Sequence, residues 1–216
     1  PAPDDPDPAG AVTRLPTRQL RPRVLRSRAA TVSAWLLGLG GVCVVALHGL
    51  RADLSPVSRR LSEYAIGPHG GLMLVAFCAL GAGLLALAAA LVGGRPRAVA
   101  ALVAAAGVGL VVSGLYPTDP GATTATELVH SRASALATLA LLVAAGWRWL
   151  AVRPDRLGGS LAGAALVLGA ASPLLHDSPV TGLSQRALWA VLLGWLFVTA
   201  ARLRQRRRMP QPSHGR

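Results

Sequence analysis

Lysine is absent from the 216 residues, charged side chains make up only 14%, and there are nine acids and two cysteines. Each shortage removes a class of protein. So little charge beside 52% hydrophobic residues and a mean hydropathy of +0.48 argues against a soluble globular core. Cys43 and Cys78 each lie inside an apolar segment, where free thiols act as small hydrophobes, so neither a disulfide nor a cysteine-based metal centre is expected. No G-x-S-x-G, H-E-x-x-H, P-loop or G-x-G-x-x-G occurs, so the common hydrolase, zincin and nucleotide-binding motifs are missing. No acid or arginine falls in the central third of any long apolar segment. Intramembrane ionisable groups mark ion paths, so their absence weighs against a small transporter or channel.

What is present is apolar length. A bilayer core about 30 Å thick needs roughly 20 helical residues, and six segments reach or approach that: 31–50, 70–92, 98–116, 131–152, 159–175 and 185–203. The first is too long for a signal-peptide core and is read as a spanning helix. Residues 1–30, rich in proline, aspartate and arginine, are expected to form a disordered tail, and residues 204–216 a basic one. The fold class expected is an all-α integral membrane protein with six transmembrane helices in one bundle.

The net charge of +13 would suggest nucleic acid, but its distribution follows the membrane. Arg51, Arg59, Arg60, Arg132 and Arg186 lie on the side of the first, third and fifth loops, and the other seventeen arginines on the opposite side. By the positive-inside rule both termini are cytoplasmic. The five outer arginines face five outer acids, so the excess charge is a topology signal and no nucleic-acid partner is expected. Trp147 and Trp149 fit an interfacial belt at the inner boundary. The setting implied is the cytoplasmic membrane of a bacterium, crossed several times.

The remaining polarity gathers at the outer ends. In LSEYAIGPHGGLM (61–73), Ser55 and Pro56 upstream suggest a helix start, and Val57, Leu61, Tyr64 and Ala65 share a face. This predicts a short interfacial helix near 56–65, stopped by Gly67 and Pro68. In YPTDP (116–120), Asp119 before Pro120 has the form of a helix cap. Glu127 and His130, three apart, share a helix face and can present two ligands. His69, His130 and His176 come from three outer loops. With Glu127 or Asp119 they would supply enough donors for a zinc ion with an open position for water. Taken singly, each histidine reads as bonded to a loop carbonyl. Ser62 is a candidate nucleophile without an evident base beyond His69.

The order SEYAIGPHGGLM, GLYPTDP, His130 and GLSQRALW resembles the DUF998 family of multi-spanning membrane proteins, over about residues 31–203. The resemblance implies the six-helix architecture and importance for Ser62, Asp119 and His130, and names no reaction. The chain departs from the family's pattern at His69, where a tyrosine or similar residue is more usual.

Two functional readings follow. One is an enzyme at the extracytoplasmic face acting on a lipid or lipid-linked substrate, with Ser62, Asp119 and His130 catalytic and the histidine–glutamate set holding metal. The other is a non-enzymatic binding, sensing or scaffold protein in which the same residues cap and lock loops.

Overall fold

The computed structural model describes residues 17–92, 97–152 and 156–205. Among them there is no strand, and six long helices follow one another: α1 (Thr17–Leu50), α2 (Gly70–Leu91), α3 (Arg97–Leu115), α4 (Ala125–Val152), α5 (Arg156–Ala171) and α6 (Thr181–Gln205). All six are long and apolar enough to cross a membrane, α5 with the help of a 3-10 turn at Ser172–Leu175. Leucine and alanine dominate their interiors and favour helix. Pro173 interrupts the last turn after α5, because proline offers no N–H to an α-helical ladder.

Several boundaries differ from expectation: α4 begins at Ala125 and not at 131, and α6 at Thr181 and not at 185. Residues 17–30 are helical, continuous with the first span, because extending an existing helix costs far less than nucleating one and this stretch is rich in arginine, alanine and leucine. The rest of the expected tail, residues 1–16, lies outside the described residues, as do Arg95 in 93–96, residues 153–155 and the basic tail from 206 onward. The interfacial helix is shorter than predicted. Residues 56–59 form turns, and only Leu61–Ala65 is helical, as a 3-10 helix. The Ser55 hydroxyl accepts from Val57 N at 3.3 Å and its carbonyl from Arg59 N at 3.0 Å, a single capped turn that is not continued. Leu61 N is meanwhile taken by the Gln185 side chain at 2.7 Å, so α6 fixes where the segment can coil.

Each helix packs on its neighbours in sequence, and α6 packs on both α5 and α1, which closes the order into a ring. α2 and α3 meet backbone to backbone: a Cβ on Gly81 would lie 2.7 Å from the Gly107 carbonyl oxygen. Small residues let backbones meet this closely, and van der Waals contact then replaces the hydrophobic drive that is weak in lipid. Gly40 is seated against Leu80 in the same manner, whereas Gly38, Gly41 and Gly163 face open space. Outward surfaces are apolar: Trp35 of α1 is 77% exposed and Leu150 of α4 79%. Trp147 and Trp149 are exposed in the last turns of α4. Both cysteines are free, Cys43 buried.

Candidate functional site

A cavity of about 890 Å³ opens at the end of the bundle that carries the 51–69 loop, the α3–α4 turn and the α5–α6 turn. α1, α2, α4 and α6 provide most of its lining. Its body is apolar, with Leu37, Val44, Phe77, Trp189, Leu193 and Phe197. Toward the loops the lining turns polar and divides into two walls of different chemistry.

The first wall is cationic. Arg186, in the second turn of α6, donates from Nε to His48 Nε2 at 2.8 Å and from Nη1 to the carbonyls of Arg59 at 2.6 Å and Gly182 at 2.9 Å. An arginine can only donate, so His48 Nε2 is the acceptor and its Nδ1 carries the proton given to Val44 O at 2.7 Å. Tyr64, 1% exposed, lies beneath both, 5.2 Å from the His48 ring and with the Arg186 guanidinium carbon 5.4 Å from its centroid. Arg60 reaches His176 Nε2 at 2.8 Å. Leu183 N bonds Val57 O at 2.9 Å, and Gly182 is packed so closely that a Cβ there would lie 2.3 Å from Arg59 O. α6 therefore starts directly on the 57–60 backbone.

The second wall is α4. Thr124 caps this helix, its hydroxyl accepting from Glu127 N at 3.2 Å. The Glu127 carboxylate accepts from the Thr118 hydroxyl at 2.9 Å, from Asp119 N, and from the Ser131 hydroxyl at 2.6 Å. A negative charge in the first turn of a helix is favoured by the helix dipole. One turn on, His130 is 4% exposed, and its Nδ1 lies 2.9 Å from Ser113 O and 2.8 Å from Tyr116 O. Those carbonyls belong to the end of α3, where helix geometry leaves the last carbonyls without partners. His130 therefore closes α3 from a neighbouring helix, and this fixes the proton on Nδ1 and leaves Nε2 as an acceptor, 3.4 Å from Ser134 Oγ. Ser134 Oγ in turn donates to Ser113 Oγ at 2.9 Å.

Residues 37–202 match the family described as Protein of unknown function (DUF998). The chain belongs to the DUF998 family. No curated protein and no solved structure matches it.

Within this DUF998 fold the residues singled out from sequence separate. Ser62, Glu127, His130 and His176 line the cavity together. Asp119 and His69 do not. Asp119 stays in the turn before α4, where its Oδ2 accepts from the Thr124 hydroxyl at 3.5 Å, and the cap of α4 is Thr124. His69 is exposed, in the left-handed region at φ 62°, and is the residue from which α2 starts. Its place is set by backbone: a Cβ on the following Gly70 would lie 2.2 Å from Ala65 O. Among the described residues no three His, Cys, Asp or Glu side chains group to hold a metal, so the zinc set of His69, Glu127, His130 and His176 does not assemble. His176 Nε2 faces a guanidinium, and both Glu127 oxygens already accept protein donors. Glu63 also has a structural task, accepting from Arg60 N at 2.9 Å and Arg59 Nη1 at 3.2 Å.

Outside the helices, Arg51 ties the loop together. It is 7% exposed, grips both Asp53 oxygens at 2.9 Å, and donates to the carbonyls of Ile66 and Pro68. This bidentate bond holds the Asp53 carboxyl below its ordinary range and raises Arg51, against the opposing effect of desolvation. Sequence reasoning missed His48, Arg60, Ser131, Ser134, Gln185 and Arg186 as lining residues. The one available signal was an arginine, Arg186, placed just inside a helix on the arginine-poor side.

Proposed function

We propose that this DUF998 protein takes a lipid or lipid-linked molecule into the cavity from the extracytoplasmic leaflet, polar group between the two walls and chain along α1 and α6, and hydrolyses it with His130 as general base. The observation that carries the reading is the pairing of an apolar body with a polar mouth in one cavity, lined by a His130 that is held by two carbonyls through Nδ1 and whose Nε2 has only the long 3.4 Å contact to Ser134 Oγ. A histidine oriented in this way can accept a proton from water as the oxygen bonds an ester carbonyl carbon, then return it to the departing alcohol as the ester C–O bond breaks. Ser62 lines the same cavity, and among the described residues no histidine or carboxylate is hydrogen-bonded to its hydroxyl, so water is the nucleophile in this reading. Asp119 acts through the α3–α4 turn.

A second reading, lipid binding without chemistry, is supported by how completely Glu127, His48 and His176 are engaged by protein donors. One experiment separates the two. Wild type and His130→Gln, reconstituted in nanodiscs with a total lipid extract, are incubated and the lipids profiled by mass spectrometry. Products released by wild type and absent with a folded His130→Gln protein support hydrolysis. Identical profiles from both, with lipid retained in the cavity, leave binding alone.

A further inference from the structure

We infer that Arg60 and Arg186 form the anion-binding side of the cavity and that its occupant carries a phosphate there, an inference that rests on the cavity's holding a lipid. The arginines at this end of the bundle sort by partner. Arg51 and Arg59 have carboxylates, Asp53 at 2.9 Å and Glu63 at 3.2 Å, and neither lines the cavity. Arg60 and Arg186 line it, and no carboxylate lies within ion-pair distance of either among the described residues. Their partners are neutral: His176, His48 and backbone carbonyls. Two positive charges without a carboxylate partner therefore face a cavity whose lining carboxylate, Glu127, lies on the opposite wall.

Arg186 is also fixed in place. Three acceptors and the Tyr64 ring hold it, and its Nη2 is buried with no hydrogen-bond partner among the described residues. A buried donor without an acceptor is costly, and a guanidinium matches the oxygens of phosphate in a forked geometry. The lengths of the helices set the chemistry of the anion: their ends reach the headgroup layer, where phosphate is the anion of a lipid. On the opposite wall Glu127 is negative, which keeps the phosphate to the arginine side and leaves Ser131 and Ser134 for the neutral part of a headgroup.

The test is native mass spectrometry of the delipidated full chain, titrated with phosphatidylglycerol or with diacylglycerol of equal acyl length, which lacks the phosphate, and with glycerophosphate as soluble competitor. Four proteins are compared: wild type, Arg60→Gln, Arg186→Gln and Gly41→Phe. The last fills the cavity from a glycine whose Cβ position is open. Wild type should retain phosphatidylglycerol about tenfold better than diacylglycerol, and either arginine variant should bring that ratio near one. Arg186→Gln removes bonds that hold α6, so Arg60→Gln, which loses only its bond to His176, decides if the other is unfolded. Gly41→Phe should lower both lipids. Displacement by glycerophosphate would identify a soluble phosphate ester as sufficient; preference without displacement identifies the lipid. Equal retention of both lipids, unchanged in Arg60→Gln but reduced by Gly41→Phe, overturns the phosphate assignment and keeps the lipid cavity. No effect of Gly41→Phe on either lipid overturns both.

Discussion

The two walls of the cavity are built in opposite ways. On the arginine wall the decisive bonds join residues far apart in sequence: Arg60 to His176, Leu61 to Gln185, Arg186 to Arg59 and to His48, with separations from 116 to 138 residues. On the α4 wall the bonds from Glu127 to Thr118 and from His130 to Ser113 and Tyr116 span 9 to 17 residues. One wall is a helical hairpin that its own turn can form. The other exists only after α6 has returned to α1, and loop closure over such distances must be offset by the contacts it allows. A shared cavity thus depends on a locally encoded half and on a half assembled by the whole fold.

The comparison breaks most visibly at Arg186. Arg186→Ala removes donors from His48 and two carbonyls in a half-buried setting, and a loss of about 3 kcal/mol is expected from charged hydrogen bonds of this kind. Unfolding in mild detergent with a graded denaturant measures it, and a loss under about 1 kcal/mol would mean that the arginine wall stands without its arginine. His130→Ala leaves Ser113 O and Tyr116 O without their donor, for about 2 kcal/mol. The double variant should show near-additive losses, because no bond links the two residues; strong coupling would mean that the walls form as one unit. Thr124→Ala removes the cap of α4, for about 1 kcal/mol, and should perturb His130 and Glu127 without altering the Arg60–His176 contact.

The same contrast explains what could be read from sequence. The six helices were legible because apolar length survives any tertiary detail. Ser62, Glu127 and His130 were legible because polar residues beside spans are few, and the last two share a helix face. Arg186, Gln185 and His48 were not, since their partners lie over a hundred residues away and nothing local announces the pairing. The zinc expectation went too far for the same reason: three histidines at one end of a bundle need not point at one another, and His69 is spent on a left-handed turn. Asp119 had the form of a cap, yet Thr124, five residues later, does the capping, because the chain turns through Gly121 at φ 84° before α4 begins.

The smallest effect lies outside both walls, in the Arg51–Asp53 pair that anchors the 51–69 loop. Asp53 is 61% exposed, and its carboxyl is held below the ordinary range by Arg51. A carboxyl depressed in the folded state binds a proton more readily when unfolded. Its contribution is therefore fully present above the unfolded value, about 3.9, and fades as the pH falls through the lower folded value. Asp53→Asn should narrow the stability gap to wild type only in that acid window and leave the pH profile above about 5 parallel. Unfolding of both proteins across that range reads the difference. The absence of a gap at any pH would mean that Arg51 holds the loop through the Ile66 and Pro68 carbonyls alone, and that this end of the molecule, like the arginine wall, relies on backbone acceptors more than on opposite charge.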